Sequence, residues 1–336
     1  MENYALINNV LRVKESNTCL VLTAIRKSKT ATRKEISKAT GLSLSTCGNI
    51  LKDLLATGEI TKADLQNHSG GRPAQRYVYN KSYHTIGSIV VSSEKNSYTI
   101  HYTIANLCKE KIAENTMSGD SIHFSSLEAL LAMICQRFPT LKAIGIGLPA
   151  PLIHQLLQEA SKKQLSEVES FMSQKYKLAV RIEKNSAMIA MGYLKSHPDL
   201  TRKTIAAIIP SQHSISAGYV FNDRIYKGDA RREGEFGFSP EKALLAESLP
   251  QSSALQKTLF AIIASIATFQ PDVILLSKAE TTAMSLQEIR SLYNKAFPGK
   301  TSPELVILED VLNTSTLGTL DTAISSLKPD LTLVLN

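Results

Sequence analysis

Between Thr32 and Leu55 the chain reads TRKEISKATGLSLSTCGNILKDLL, with apolar positions recurring at helical rather than strand spacing. Thr32 and Glu35 stand three apart, as in a capping box, where each side chain satisfies a backbone N–H that a helix start leaves free. Gly41 breaks that helix and Ser43 is placed to cap a second. In the second helix Leu44, Cys47, Ile50, Leu51, Leu54 and Leu55 share one face, which is expected to be buried. Ser45, Asn49 and Lys52 fall on the opposite face, with Thr46 beside them. The pattern predicts helix, tight turn, helix, with Gly58 as the carboxy-terminal cap.

Upstream, residues 4–28 read as a helical segment broken near Glu15–Asn17, with Leu20, Leu22 and Ile25 packing under the hairpin. Downstream, Glu59–Lys62 and Gln75–Tyr79 read as two strands joined by the polar loop DLQNHSGGRPA. Helices followed by a β-hairpin make a winged helix-turn-helix over residues 1–80, the loop being the wing. From Thr85 strands and helices alternate. Strands are predicted at Ile86–Val91, Tyr98–Ile104, Ala143–Leu148, Leu178–Ile182, Ile205–Ile209, Gly218–Phe221, Arg224–Tyr226, Val273–Leu276 and Leu305–Leu308. Helices are predicted at Phe124–Phe138, Ser186–Leu194, Ala254–Phe269 and Leu317–Leu327. This is an α/β fold. Two such sets, separated near residue 195, predict lobes over 81–195 and 196–336 with a cleft between them, where ligands normally bind.

Charge sharpens the picture of the first region. Residues 1–80 hold 12 Lys/Arg against 6 Asp/Glu, a net of +6, while the remaining residues hold 26 against 24, a net of +2. A basic module joined to a near-neutral body is the footprint of a polyanion binder. Small hydrogen-bonding side chains and one cation near a helix start suit a recognition helix in the major groove. Ser45, Thr46 and Asn49 are thus candidate base readers, and Lys52, Arg33 and Lys34 candidate phosphate contacts. The wing tip Gly70-Gly71-Arg72-Pro73 offers close backbone approach, a stiffened turn and, in Arg72, a cation for a narrow minor groove. An ordinary helical hairpin and a linker with an incidental arginine are the alternatives. The four cysteines, Cys19, Cys47, Cys108 and Cys135, lack metal-ligand spacing and are expected to be buried free thiols. No run is long and apolar enough to span a membrane, and MENYALINN lacks the features of a signal peptide, so a cytoplasmic protein is expected.

Five further segments, in order, resemble the ROK family (repressor, open reading frame, kinase), in its regulator branch of the xylose-repressor and N-acetylglucosamine-repressor type. GGRPAQRYVYN is similar to the family's Gly-Arg-Pro junction. GIGLPAP from Gly145 resembles its Gly-x-Gly-x-Pro-Gly-Pro loop, and IEKNSAMIAMG from Ile182 its Glu-Asn-Asp-Ala-Asn segment. GEFGF from Gly234 resembles Gly-Glu-x-Gly-His, and FQPDVILLS from Phe269 the Pro-Glu-x-Ile-x-x-Gly-Gly strand. The resemblance implies a winged helix-turn-helix followed by a two-lobed actin-like, ribonuclease H-like ATPase domain.

The departures from the family pattern bear on chemistry. The family's sugar-deprotonating Asp is replaced by Asn185, whose carboxamide is not basic enough for that step, so no catalytic residue is expected. Lys184 stands where a sugar-binding Asn would, and Phe238 where a His would contact sugar and zinc. SPEKALLAES follows where the family's cysteine ligands lie, so no metal is expected. VVSSEKN from Val90 and SQHSISAG from Ser211 replace the Gly-rich phosphate loops. Of the sugar-site pattern Glu235 survives, either as an effector contact with Asn185 and Lys184 or as a structural carboxylate held by Arg231 and Arg232.

These features together predict a transcriptional regulator, by analogy a repressor of carbohydrate-related genes. It carries a catalytically dead kinase-like domain and needs no cofactor. Its expected partners are a double-stranded DNA operator, a sugar or sugar-phosphate effector, and a second copy of itself in a homodimer or homotetramer. The alternatives are an active ROK sugar kinase with an accessory DNA-binding domain, and a winged helix that binds protein.

Overall fold

Thr32 and Ser43 set the geometry of the amino-terminal unit. In the computed structural model, which describes residues 2–63, 74–94, 97–162, 164–210, 215–228, 234–235, 254–277, 289–291, 294, 299 and 302–327, helix α2 (Arg33–Thr40) opens on the full capping box. The Glu35 N–H donates to Thr32 Oγ1, and the Thr32 N–H donates to Glu35 Oε2 at 2.8 Å. Gly41 closes α2 at φ 73°, a conformation suited to glycine. Ser43 then caps α3 (Leu44–Thr57), and Gly58 ends it at φ 80°. Buried Cys47, Ile50, Leu51 and Leu54 face Ile36 of α2 and Val21, Leu22 and Ile25 of α1 (Glu2–Ser28), so three helices share one small core.

Strands β2 (Ile60–Lys62) and β3 (Arg76–Tyr79) pair antiparallel, Ile60 opposite Tyr79. A third strand, β1 (Thr30–Thr32), pairs with the other edge of β3. The unit is a winged helix. Three expectations fail within it. Helix α1 runs unbroken through Glu15–Asn17, because that polar stretch holds neither Gly nor Pro, and Thr18 Oγ1 only bonds back to the Lys14 carbonyl. Leu20 is 44 % exposed, its place in the core taken by Val21 one position on. Leu44 is 48 % exposed, lying at the first position of α3.

The second compact unit is built from Ile86 to Ala105 and Lys111 to Ser326. Its first sheet has the order β6-β5-β4-β7-β8, from β4 (Thr85–Glu94), β5 (Ser97–Asn106), β6 (Lys111–Gly119), β7 (Leu141–Leu148) and β8 (Ala179–Lys184). Helices α4 (Phe124–Arg137), α5 (Ala150–Glu159) and α6 (Leu165–Tyr176) contribute to its core through Leu127, Leu131, Ile134, Leu152, Ile153, Val168 and Met172. Its second sheet, β11-β10-β9-β12-β13, comprises β9 (Ile205–Pro210), β10 (Ile215–Phe221), β11 (Arg224–Ile225), β12 (Val273–Ser277) and β13 (Glu304–Leu308). Helix α8 (Ala254–Phe269) packs on this sheet. Helices α7 (Asn185–Ser196) and α9 (Val311–Ser325) pack along one another, and α7 reaches both sheets. The first unit sets helices against a small antiparallel sheet, and the second alternates strands and helices, with antiparallel hairpins feeding parallel pairs, so the chain as described mixes α and β throughout. Among the described residues no helix is long and apolar enough to cross a membrane.

The cysteines depart from expectation as well. Cys47 is buried and Cys135 half-buried, but Cys19 and Cys108 are exposed. Cys19 lies on the outer side of α1, and Cys108 sits in the β5–β6 turn, where the Asn106 side chain accepts the Cys108 N–H. Turn residues must face solvent to keep their backbone groups hydrated.

Candidate nucleic-acid interface and interlobe cleft

The apolar stripe of α3 fixes what its other side presents. With Cys47, Ile50 and Leu54 turned inward, Ser45, Asn49 and Lys52 are all exposed. Thr46 is half-buried, and its hydroxyl is paired with Ser43 Oγ at 2.8 Å, so it reinforces the cap at the head of the helix. Arg33 and Lys34 are exposed in the first turn of α2. Arg72, with the rest of the wing tip at 70–73, lies outside the described residues.

The acidic side chains of this unit are largely consumed internally. Glu35 pairs with Arg76 and Asp53 with Lys14. Glu59, 4 % exposed, accepts a hydrogen bond from the Tyr79 hydroxyl. Arg26 in turn donates to that hydroxyl at 2.7 Å and lies 4.3 Å over the Tyr79 ring. Burial pushes the Tyr79 phenol up, holding it neutral. Lys27, Lys29, Arg33, Lys34, Lys38, Lys52 and Lys62 are exposed, and no hydrogen bond or ion pair engages their side chains among the described residues. Among the described residues, Glu35, Asp53 and Glu59 are thus engaged within the unit's own fold, while these seven cations face the solvent.

In the second unit a cleft of about 360 Å³ opens between the two sheets. The amino-terminal ends of α5, α7 and α9 converge on it, presenting Pro149 to Pro151, Asn185 with Ser186, and Leu312 with Ser315. Ser92 and Ser93 of β4, His101 of β5 and Ser216 of β10 complete the polar lining. No carboxylate, lysine or arginine lines it among the described residues. Asn185 Nδ2 donates to the Val91 carbonyl at 2.5 Å, tying α7 to β4. Its Oδ1 is buried without a hydrogen-bond partner among the described residues, against Gly147, where a Cβ would stand 2.6 Å away. Gly147 thus makes room for the Asn185 side chain.

The other candidate site residues are placed elsewhere. Lys184 is 3 % exposed at the end of β8 and does not line the cleft. Glu183, beside it, forms an ion pair with Lys227. Glu235 pairs with His154 Nε2 at 3.0 Å, joining α5 to the strand edge at Ser216. The sequence carries no signal for His154 as the partner, since the two residues stand 81 positions apart. Phe238, Arg231, Arg232 and the segments 211–214 and 236–250 lie outside the described residues. Among the described residues no group of three metal-ligating side chains converges.

No protein-family model matches the chain, and no curated protein matches it by sequence. Solved structures do match by shape. A ROK family transcriptional regulator, a homolog of the E. coli MLC protein, is 16% identical with a TM-score of 0.61, covering 94% of this chain and 97% of its own. A ROK hexokinase from Thermus thermophilus is 14% identical with a TM-score of 0.52, covering 71% of this chain and 98% of its own. A ROK family protein from Streptococcus pneumoniae, solved with sucrose, is 16% identical at a TM-score of 0.50, covering 72% and 98%. These neighbours are described as ROK family members, and what they share with this chain is the fold: the α/β part in all three, and nearly the whole chain in the regulator. The kinase matches stop short of this chain's full length, whereas the regulator match extends over nearly all of it.

Proposed function

We propose that this protein is a sequence-specific DNA-binding transcriptional regulator, a repressor of carbohydrate-related genes, acting as a homodimer or homotetramer. The DNA-binding part runs over residues 1–80 and the kinase-like part over 81–336. The observation that carries the reading is the partition of charge among the described residues of the first unit: Glu35, Asp53 and Glu59 engaged internally, seven cations exposed, and a polar helix face between them. Ser45 and Asn49 supply hydrogen-bonding groups for base edges, and exposed Leu44 an apolar contact for a thymine methyl. Lys34, Lys38 and Lys52 supply phosphate contacts, and Arg72 a minor-groove contact.

The second unit serves as a sensor and an assembly platform, with no phosphotransfer. Asn185 supports this: its amide nitrogen is committed to Val91, and its oxygen is too weak a base to deprotonate a sugar hydroxyl. A sugar or sugar phosphate in the cleft would shift the protein between states of different DNA affinity, and must bind one state better to do so. The test is selection of genomic fragments by the purified full-length chain, followed by titration of the retained duplexes. Enrichment of a common inverted repeat, with affinity falling steeply as salt rises, is expected. Recovery of random fragments, or affinity indifferent to salt, would refute it.

A further inference from the structure

Gly48 sits in the middle of α3, where glycine weakens a helix. The space above it is occupied. A Cβ at Gly48 would lie 3.3 Å from Arg33 Nη1 and 3.7 Å from Arg33 Cδ, so the arginine side chain lies along the glycine. Gly48 belongs to the outward side of the helix, three residues after Ser45 and four before Lys52, with Asn49 next to it. The first turn of α2 therefore lends a guanidinium to the outer face of α3. That guanidinium is exposed and makes no hydrogen bond or ion pair among the described residues. Arg76, by contrast, is engaged with Thr30 and Glu35, and Arg26 with Tyr79.

Building on the DNA-binding reading, we propose that Arg33, seated on Gly48, reads a guanine in the major groove, with Gly48 as its positioning residue. A guanidinium fork offers two parallel donors, matching the two acceptors that guanine shows there. A lysine at the same place would supply charge without that fit. A phosphate contact needs only reach from the rim of the motif, whereas lying flat along the recognition helix holds the fork at the level of Ser45 and Asn49. A bare Cβ at position 48 would already crowd the guanidinium, and a larger side chain would displace it.

The test is selection from a random duplex pool by the full-length protein, repeated with Arg33→Lys, Arg33→Ala and Gly48→Leu. In the wild type each half-site is expected to hold a guanine whose replacement weakens binding about tenfold or more. Arg33→Lys keeps the charge and Gly48→Leu keeps the arginine but evicts it. Both are expected to abolish the preference at that guanine, read as the ratio of affinities for duplexes with and without it. An unchanged preference in Arg33→Lys overturns the proposal even if Gly48→Leu fails to fold. So does a uniform loss on every sequence in Arg33→Ala, which is the signature of a phosphate contact. A wild type that binds duplex DNA steeply but without Arg33-dependent discrimination refutes this inference alone. A wild type that binds no duplex refutes the DNA-binding reading and this inference with it.

Discussion

Asn185 shows what a single residue type settles and what it leaves open. Its identity alone puts a carboxamide where the family resemblance implies a carboxylate base. Its contacts add a second obstacle, because the amide nitrogen donates to the Val91 carbonyl at 2.5 Å. In Asn185→Asp a carboxylate oxygen would face that carbonyl, acceptor against acceptor. The expected outcome is a loss of about 1–3 kcal/mol of stability, read as a lowered urea midpoint, and no ATP-dependent phosphorylation of hexoses. A variant as stable as the parent that turns over sugar would show that Asn185 is the only barrier to catalysis. The substitution is visible in the chain; the Val91 partner, 94 residues away, is not. Gly147 makes the same point in reverse. Its place in GIGLPAP marks it as part of a family-like loop, and only the fold reveals that its missing side chain leaves space for Asn185. The sequence offers Glu235 a sugar or nearby arginines as partners, and the structure pairs it with distant His154.

At the scale of elements, local signals are legible where they sit close together in sequence. Thr32 with Glu35, Gly41, Ser43 and Gly58 all act as their spacing implies. What escapes are elements defined by distant partners. Strand β1 has three residues, and its partner Val78 lies far along the chain from Thr30. Strand β6 is exposed along nearly all its length and shows no alternation to detect. Helices α5 and α6 follow Pro149 and Gln164, neither of which provides a side-chain cap. Helix α4 lacks a local cap too, since His123 makes no capping bond. Its cap comes from the end of α5, where Glu159 accepts the Phe124 N–H at 2.6 Å and bonds from His123 and Gln155. The Gln155 amide, with the Phe124 N–H and His123, pulls the Glu159 carboxyl down to about 2. A folded-state value below the unfolded one means stability present at neutral pH and lost as pH falls from about 4.5 toward 2. Glu159→Ala is expected to cost roughly 1 kcal/mol at pH 7, as the removal of a helix cap does, and to flatten the decline of Tm across that window. Thermal melts of both proteins from pH 7 to pH 2.5 check this; parallel declines would mean the capping bond does not form in solution.

For the whole molecule the informative quantity is where charge is spent. The chain's net charge of +8 is carried mostly by its first 80 residues, at +6. Composition reveals that asymmetry, yet not which cations are free. The fold resolves it: Arg26, Arg76 and Lys14 hold the winged helix together, while Arg33, Lys34, Lys38 and Lys52 remain unengaged, among the described residues, in and beside the helix-turn-helix. These free cations divide by chemistry. A seated guanidinium discriminates bases, whereas lysines act as point charges on phosphates and carry no sequence information. Each phosphate neutralised releases condensed counterions, so the slope of log affinity against log salt falls by about 0.9 for every phosphate left without its cation. Lys34→Gln with Lys38→Gln should therefore shallow that slope by about 2 per protomer and weaken every duplex alike, leaving the selected consensus untouched. Fluorescence anisotropy between about 50 and 200 mM salt, a range over which several phosphate contacts change affinity by orders of magnitude, reads both quantities at once. A double variant with the parental slope would place these lysines away from the duplex. One with a changed consensus would mean that the helix before the turn, and not only the one after it, takes part in reading sequence through its lysines.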